Sequence, residues 1–287
     1  YRKFDTQFLR LMEDDPEAVN PLPVTVIARD RLTFPIEGAP ARRGEAPDIA
    51  PWQRWNDYGI GLLRKPGVGE LRQAEQAFAR VEALGRGDGA LNLARVYLRE
   101  GRVDDAAAAL ARAGESTDVM PWVVAWFNAQ VDRQNGFLDE AIGQLDNILE
   151  GRFAAARERG FDFSRDYRVL NELALTYYER ARLSRSERLR ARRDADLQAA
   201  RAAYDRVLTI DPENLAAHYG LAQVHGALGQ GPEADYHRAR HARYKPDDNA
   251  ADRAIAAARQ RYPEAARAAD PTVIYPLAPP LTPPAAR

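Results

Sequence analysis

Small residues recur in pairs along this chain of 287 residues, and their spacing constrains the fold more than any other feature. The first members of the pairs are Gly59, Ala94, Ala129, Ala174 and Ala222. The second members are Ala74, Ala106, Ala141, Ala200 and Ala234. Three of the five pairs share a separation of 12 residues, whereas the first is 3 residues longer and the fourth is 14 longer. Because helices cross closely only where their side chains are small, this spacing predicts five repeats of a helix pair.

Larger apolar residues follow each second small residue after four and seven positions. They are Phe78, Leu110, Leu145 and Tyr204 in the first set, and Val81, Ala113, Ile148 and Val207 in the second. In the last repeat, Arg238 and His241 match these positions only weakly. Gly101, Gly136 and Gly229 stand where a left-handed residue would end the first helix of a pair.

This pattern is typical of the tetratricopeptide repeat, whose helix pairs stack into a superhelix because no single pair buries its own apolar face. It predicts a mostly α fold with about five helix-turn-helix repeats over residues 51–246 and a capping helix over 247–269. Residues 1–50 alternate apolar and polar positions and contain prolines, so we expect an extended or β segment that ends a domain lying upstream. Residues 270–287 are expected to form a proline-rich tail.

The composition argues against several classes of function. The chain has no cysteine, which excludes a thiol nucleophile, a Cys-ligated metal and covalently attached haem within it. Its 41 basic and 42 acidic residues leave no net positive field to attract nucleic acid. No apolar run is long enough to span a membrane, and no set of Ser, His and acidic residues forms a catalytic triad. We therefore expect no enzyme, no resident cofactor and no nucleic-acid partner.

The register assigns a set of side chains on the first helices to the concave groove of such a superhelix, where a protein or peptide partner would bind. These residues are Asn56, Leu91, Arg95, Leu98, Trp126, Gln130, Arg133, Asn171, Tyr178, Tyr219 and Gln223. The same register places Leu63 in the groove. Arg95 and Arg133 are expected to bind a carboxylate. The alternatives are that these residues contact one another, or that residues 1–50 or the proline-rich tail occupy the groove.

Three other features have a functional and a structural interpretation. His237 and His241 are four residues apart on one helix and could bind metal or haem, or they could simply contact neighbouring residues. The glycine-rich segment 85–89 lacks the context of a phosphate-binding loop, so a flexible turn between repeats is expected. The arginine-rich stretch 180–193 could bind phosphate or an acidic partner, or extend into solvent as part of longer helices.

Three segments extend the similarity beyond the repeat pattern: residues 51–63, 91–97 and 244–250. They resemble the C-terminal region of bacterial multihaem c-type cytochromes that carry tetratricopeptide repeats. The resemblance implies a periplasmic or extracellular protein with a c-type cytochrome as partner, and haem held by that partner or by a missing upstream region. It therefore predicts a non-catalytic scaffold in an electron-transfer assembly. The alternative is a redox component that supplies a histidine ligand to a neighbouring haem or metal.

Overall fold

The protein is described by a computed structural model that covers residues 48–65, 70–246 and 250–264, together with Arg10 and Glu17. In the ranges 48–65, 70–246 and 250–264 the regular elements are helices only. The α-helices are α1 Pro51–Arg64, α2 Leu71–Ala83, α3 Gly87–Glu100, α4 Val103–Gly114, α5 Pro121–Asn135, α6 Leu138–Leu149, α7 Ala154–Glu158, α8 Tyr167–Leu183, α9 Arg190–Ile210, α10 Leu215–Ala227, α11 Gly231–Tyr244 and α12 Ala250–Arg261. One 3-10 helix, Glu187–Leu189, precedes α9.

The chain divides into two compact units. One unit spans Ala46–Lys245 and holds α1 to α11, while the other combines Tyr1–Glu45 with Pro246–Arg287 and includes α12. Helix α12 lies within the range predicted for a capping helix, and that role stays a prediction. The predicted extended segment of residues 1–50 and the predicted tail of residues 270–287 lie almost wholly outside the described residues.

Ten of the helices α1 to α11, all but the short α7, form five antiparallel pairs that stack in chain order. The pairs are α1/α2, α3/α4, α5/α6, α8/α9 and α10/α11. The second helix of each of the first four pairs packs on the first helix of the next pair. The small residues of the sequence pattern lie in these crossings, where Ala74, Ala94, Ala106 and Ala129 are each 0% exposed. Phe78, Leu110, Leu145 and Tyr204 are buried beside them. The predicted repeat architecture is confirmed.

Glycine and capping residues set the ends of the helices. Gly101, Gly136 and Gly229 have φ angles of 73°, 83° and 74°, the left-handed conformation expected after a first helix. The Asp166 side chain accepts hydrogen bonds from the first turn of α8, and that of Asn214 does the same for α10. These local signals explain why the helix pairs begin and end where the register requires.

The prediction of a flexible turn over residues 85–89 is wrong for residues 87–89. Helix α3 already begins at Gly87, and a Cβ atom on Gly89 would lie 2.2 Å from the backbone nitrogen of Glu82. Gly89 therefore allows α3 to approach the backbone of α2 closely. The glycines reflect tight helix packing as well as a turn.

The repeat pattern is interrupted between α6 and α8, although these two helices pack against each other. Residues 150–166 form the short helix α7 and two connecting segments, whose Phe153, Phe161 and Phe163 surround Trp122 of α5. Helices α8 and α9 are also longer than the other helices of the stack, with 17 and 21 residues. Two separate clusters of buried apolar residues result, one centred on α1 to α4 and one on α5 to α10.

The last repeat departs from the predicted register. Arg238 is exposed and His241 is half-buried, whereas His237 is buried beside Ala234. Within its unit, α11 packs mainly against α10. It therefore buries only one narrow stripe of its residues. That stripe contains His237 rather than the two weak matches.

Candidate partner-binding surface

The predicted groove residues lie on the first helices of the five pairs, α1, α3, α5, α8 and α10. We call these eleven side chains, from Asn56 to Gln223, the A surface. Nine of them are half-buried, and Tyr219 and Gln223 are exposed. Leu63, which the register also assigned to the groove, is instead 1% exposed and belongs to the core around α1 to α4.

Side-chain amides link neighbouring first helices across the A surface. The buried Asn92 donates from Nδ2 to Oδ1 of Asn56 at 2.9 Å, joining α3 to α1. Asn171 donates in the same way to Asn214 at 3.1 Å, joining α8 to the cap of α10. Asn56 and Asn171 therefore contact their neighbours, which matches the alternative interpretation of these positions.

Arg133 has its charge balanced inside the chain. Its Nε donates to Glu172 at 2.7 Å and its Nη1 to Glu179 at 3.0 Å. Burial alone would lower the pKa of Arg133, but the two carboxylates of α8 outweigh it and raise the pKa. A partner carboxylate at this position would have to displace a glutamate of the chain itself.

Arg95 lies in the opposite electrostatic environment. Burial first, and then the charges of Arg99 and Arg64, lower the pKa of Arg95. Its Nη1 donates to Oδ1 of Asn92 at 2.8 Å, and Arg99 donates to the backbone carbonyl of Leu63. Among the residues that the structure describes, none of these three arginines pairs with a carboxylate. We call Arg64, Arg95 and Arg99 the cationic cluster.

Apolar groups surround the cationic cluster. The Arg95 guanidinium lies 5.9 Å from the centre of the Phe127 ring. Leu91 and Leu98 of the same helix are half-buried against the neighbouring core. An anionic group held here would therefore sit beside apolar surface, where electrostatic attraction is less weakened by water.

A second feature of this surface is an apolar pocket of 190 Å³ between α5 and α8. It is lined by Trp122, Val123, Trp126, Ile148, Phe163, Asp166, Arg168 and Val169. Trp126 was predicted as a site residue, but Trp122, Phe163 and Arg168 were not. The sequence signal for them was the cluster of Phe153, Phe161 and Phe163 in the interrupted part of the stack, which follows no repeat period.

The last pair of helices contains a cluster of three buried histidines. Nδ1 of His218 lies 2.9 Å from Nδ1 of His237, and the rings of His225 and His237 stack at 5.4 Å. Nε2 of His218 lies 3.0 Å from the carbonyl oxygen of Pro212, which can only accept, so this nitrogen carries the proton. In the neutral pair, Nδ1 of His237 then donates to Nδ1 of His218.

The structure separates the contacts of the two histidines that were expected to act together. His237 contacts His218 and His225, whereas His241 contacts the ring of Tyr219 at 5.5 Å. Burial, followed by the nearby His218 and His225, lowers the pKa of His237 to about 4. The described part of the chain contains no group of three or more His, Asp or Glu side chains arranged to hold a metal ion.

None of the helices among the described residues is both long and apolar enough to cross a membrane. No protein-family model matches the chain, and no curated protein matches it.

Solved structures with the same kind of repeat do match. A structure of IFIT1 solved with Gppp-AAAA has a TM-score of 0.51 at 17% identity, covering 76% of this chain and 46% of the IFIT1 chain. The chain has the fold of a tetratricopeptide-repeat protein. A crystal structure of MamA gives a TM-score of 0.47 at 14% identity and covers 68% of this chain and 95% of MamA. These identities are too low to carry more than the fold.

Proposed function

We propose that this protein is a non-catalytic scaffold whose A surface binds an extended, acidic segment of a partner protein. The observation that carries this proposal is the cationic cluster. Arg64, Arg95 and Arg99 lie close together, and the chain supplies no carboxylate to them within its described residues. The fold supports the general role, because tetratricopeptide stacks present extended binding surfaces.

The electrostatics favour an anionic ligand over a neutral one. Like charges held close together raise each other's energy, and a bound carboxylate relieves this repulsion while forming charge-assisted hydrogen bonds. Arg95 is already oriented by Asn92, so less side-chain entropy is lost when it binds. The cationic cluster is therefore a preorganised anion site, whereas Arg133 is already paired with Glu172 and Glu179.

Apolar contacts would supply the rest of the affinity. Leu91, Leu98 and Phe127 flank the cationic cluster, and the pocket beside Trp126 has room for one large apolar side chain of a partner. We propose that the partner segment combines acidic residues with an apolar anchor. Trp126 and Gln130 then lie on its path along α5.

The test is fluorescence anisotropy with labelled hexaglutamate and the full chain. The double variant Arg95→Glu with Arg99→Glu is expected to weaken binding about tenfold or more, because two attractive charges become repulsive. The matched control is Arg72→Glu with Arg80→Glu, which makes the same charge change on exposed positions of α2 and is expected to alter binding less than about twofold. Equal losses in both double variants would overturn the proposed site. Equally tight binding of an oligoadenylate would show a general polyanion site instead.

The cytochrome association is a further proposal, supported by the sequence resemblance. We propose that the partner is a c-type cytochrome, that haem resides in it or in an upstream region, and that the assembly is periplasmic or extracellular. Purification of the native protein is expected to yield haem absorbance. Haem held by the partner is expected to be lost from the sample when Arg95 and Arg99 are reversed in charge, whereas haem held by an upstream region is expected to remain. A native complex without haem would contradict it.

A histidine ligand to a neighbouring haem is the competing proposal. His241 is the better candidate, because it is half-buried while His237 is engaged by His218. A visible spectrum of the native assembly that is unchanged by His241→Ala and His237→Ala would remove this role.

A further inference from the structure

The long helices of the fourth pair carry a second charged surface, which contains none of the arginines of the cationic cluster and meets the A surface at Arg133. Residues 180–194 contain seven arginines and only two acidic residues, in a chain whose net charge is −1. This segment joins α8 to α9 through the 3-10 helix Glu187–Leu189. The sequence alone allowed it to be a solvated extension of the two helices.

Some of these arginines have partners within the chain. Arg180 pairs with Asp139 and with the buried Asp196, and Arg192 also pairs with Asp139. These contacts tie the end of α8 to α9 and to α6. They give the segment a defined position in its unit.

Three arginines of the segment remain available. Arg182, Arg185 and Arg188 are exposed, and within the described chain none of them forms an ion pair. Arg185 donates only to the backbone carbonyl of Arg182. Their positive charge therefore faces solvent without a counter-charge.

Large apolar side chains are exposed beside these arginines. Leu183 is 66% exposed, Phe137 55% and Leu189 41%. All three line one hollow of 340 Å³, and Leu183 also lines a second hollow of 320 Å³ together with Arg182 and Arg185. The larger hollow also contains Asp139, Glu140 and the paired Arg180 and Arg192, so the unpaired arginines line only the smaller one. An exposed leucine that shares a hollow with unpaired arginines is typical of a binding surface.

We infer that this tip surface, formed by Phe137, Leu183, Leu189, Arg182, Arg185 and Arg188, binds an acidic protein segment that carries apolar anchor residues. The charge of the partner follows from the three arginines, which form no ion pair with any carboxylate of the described residues. The apolar anchors follow from the two hollows on either side of Leu183. A concave surface also favours a peptide over the flat face of a membrane.

The experiment uses full-length protein with Arg95→Glu and Arg99→Glu already present, so that the cationic cluster cannot contribute. The probe is a fluorescent octapeptide, Gly-Glu-Glu-Leu-Phe-Glu-Glu-Gly, followed by anisotropy. We expect saturable binding below about 1 mM that weakens as salt increases. Binding is expected to fall about tenfold with Arg182→Glu, Arg185→Glu and Arg188→Glu combined, and at least threefold with Leu183→Ser alone.

The matched control is Arg54→Glu, Arg72→Glu and Arg80→Glu combined, which makes the same change of net charge at exposed positions of α1 and α2. It is expected to preserve most of the binding, and circular dichroism confirms that each variant is folded. The inference is overturned by no saturable binding, by an equal loss in the control, or by Leu183→Ser binding as tightly as its parent. Binding to phosphatidylserine vesicles but not to the peptide would also overturn it, in favour of a membrane.

Failure here leaves the proposed function intact, because that proposal is tested on a different surface with hexaglutamate. Conversely, loss of the A-surface site leaves the tip surface unaffected.

Discussion

Arg95 and Arg133 lie on successive first helices of the stack, yet only one of them is available to a partner. Arg133 is held by two glutamates of α8, whereas Arg95 is surrounded by Arg64 and Arg99. The difference comes from the neighbouring repeat, since α8 supplies acids to α5 and α1 supplies another arginine to α3. The position of a side chain within its repeat therefore does not decide whether that side chain is available to bind a partner.

A similar contrast distinguishes the packing of the regular half of the stack, α1 to α4, from that of the interrupted half, α5 to α10. The first two pairs of helices stack closely through glycine, while the third and fourth pack on each other through α6 and α8 but are joined by the long connection of residues 150–166. The interruption opens the pocket beside Trp122 and brings aromatic side chains to the surface. The regular half thus offers the cationic cluster, and the interrupted half offers the apolar pocket together with the arginines of the tip surface.

The close packing of the regular half gives the largest expected effect. Gly89→Ala is expected to reduce the free energy of unfolding by about 3 kcal/mol or more, because its Cβ would clash with the backbone of α2. Gly61→Ala on α1 is the control, since its Cβ would meet nothing within 4 Å. That control is expected to be neutral or stabilising by up to about 1 kcal/mol. Urea denaturation followed by circular dichroism measures both, and equal stability of the two variants would contradict the packing.

The internal ion pair of Arg133 gives the next largest effect. A double-mutant cycle of Arg133→Gln and Glu172→Gln is expected to show a coupling energy of about 1–2 kcal/mol, because both side chains are about four-fifths buried. The same cycle on the exposed pair Lys65 and Glu70 is expected to show less than about 0.5 kcal/mol. Similar coupling energies in the two cycles would mean that Arg133 is no more tightly held than a surface residue.

The buried histidines of the last pair predict that the free energy of unfolding depends on pH. The first half of the stack contains no histidine to contribute this effect. The pKa of His237 falls from an ordinary value of 6.5 to about 4 on folding, so the unfolded chain binds more protons between these values. Stability is therefore expected to fall as the pH falls from about 6.5 to 4, by about 1–2 kcal/mol at pH 5. The groups facing the ring are His218, His225 and Tyr236.

Thermal denaturation at pH 7 and pH 5 measures this effect. His237→Gln is expected to narrow the difference in melting temperature between the two pH values, whereas His241→Gln leaves it unchanged because that ring is only half-buried. If both variants keep the full difference, other groups cause the acid sensitivity.

The smallest effect tests the comparison directly by giving Arg95 the counter-charge that it lacks. Asn92→Asp places a carboxylate 2.8 Å from the Arg95 guanidinium, as Glu172 does for Arg133. Hexaglutamate binding is expected to weaken about three- to tenfold, because the arginine is then partly neutralised. Asn92→Leu serves as the control for loss of the amide link to Asn56, and an equal loss with both variants would exclude the electrostatic explanation.

The sequence predicted the repeated parts of the fold well, for a simple physical reason. Close helix crossings tolerate only small side chains, and left-handed turns favour glycine, so Ala94, Ala106 and Gly101 carry their structural roles in their identity. The same register erred where packing partners differ from repeat to repeat. It placed Leu63 in the groove although the core covers it, and it assigned a core position to Arg238 although α11 presents His237 instead.

The functional surfaces depended on contacts between residues that are far apart in sequence. The eleven groove positions could be named from the repeat, but the binding of Arg133 by Glu172 and Glu179 spans 39 and 46 residues. The pocket beside Trp122 and the exposed Leu183 arise in segments without repeat periodicity. No local pattern predicts which charges meet across such distances.

The sequence by itself indicated that this chain is a stack of five helix pairs, because small residues recur at the positions where the two helices of each pair cross closely. Only the tertiary structure decided which of its arginines are neutralised and which remain available. That choice depends on the side chains that neighbouring helices bring within a few ångströms, and a repeat pattern describes one helix pair at a time.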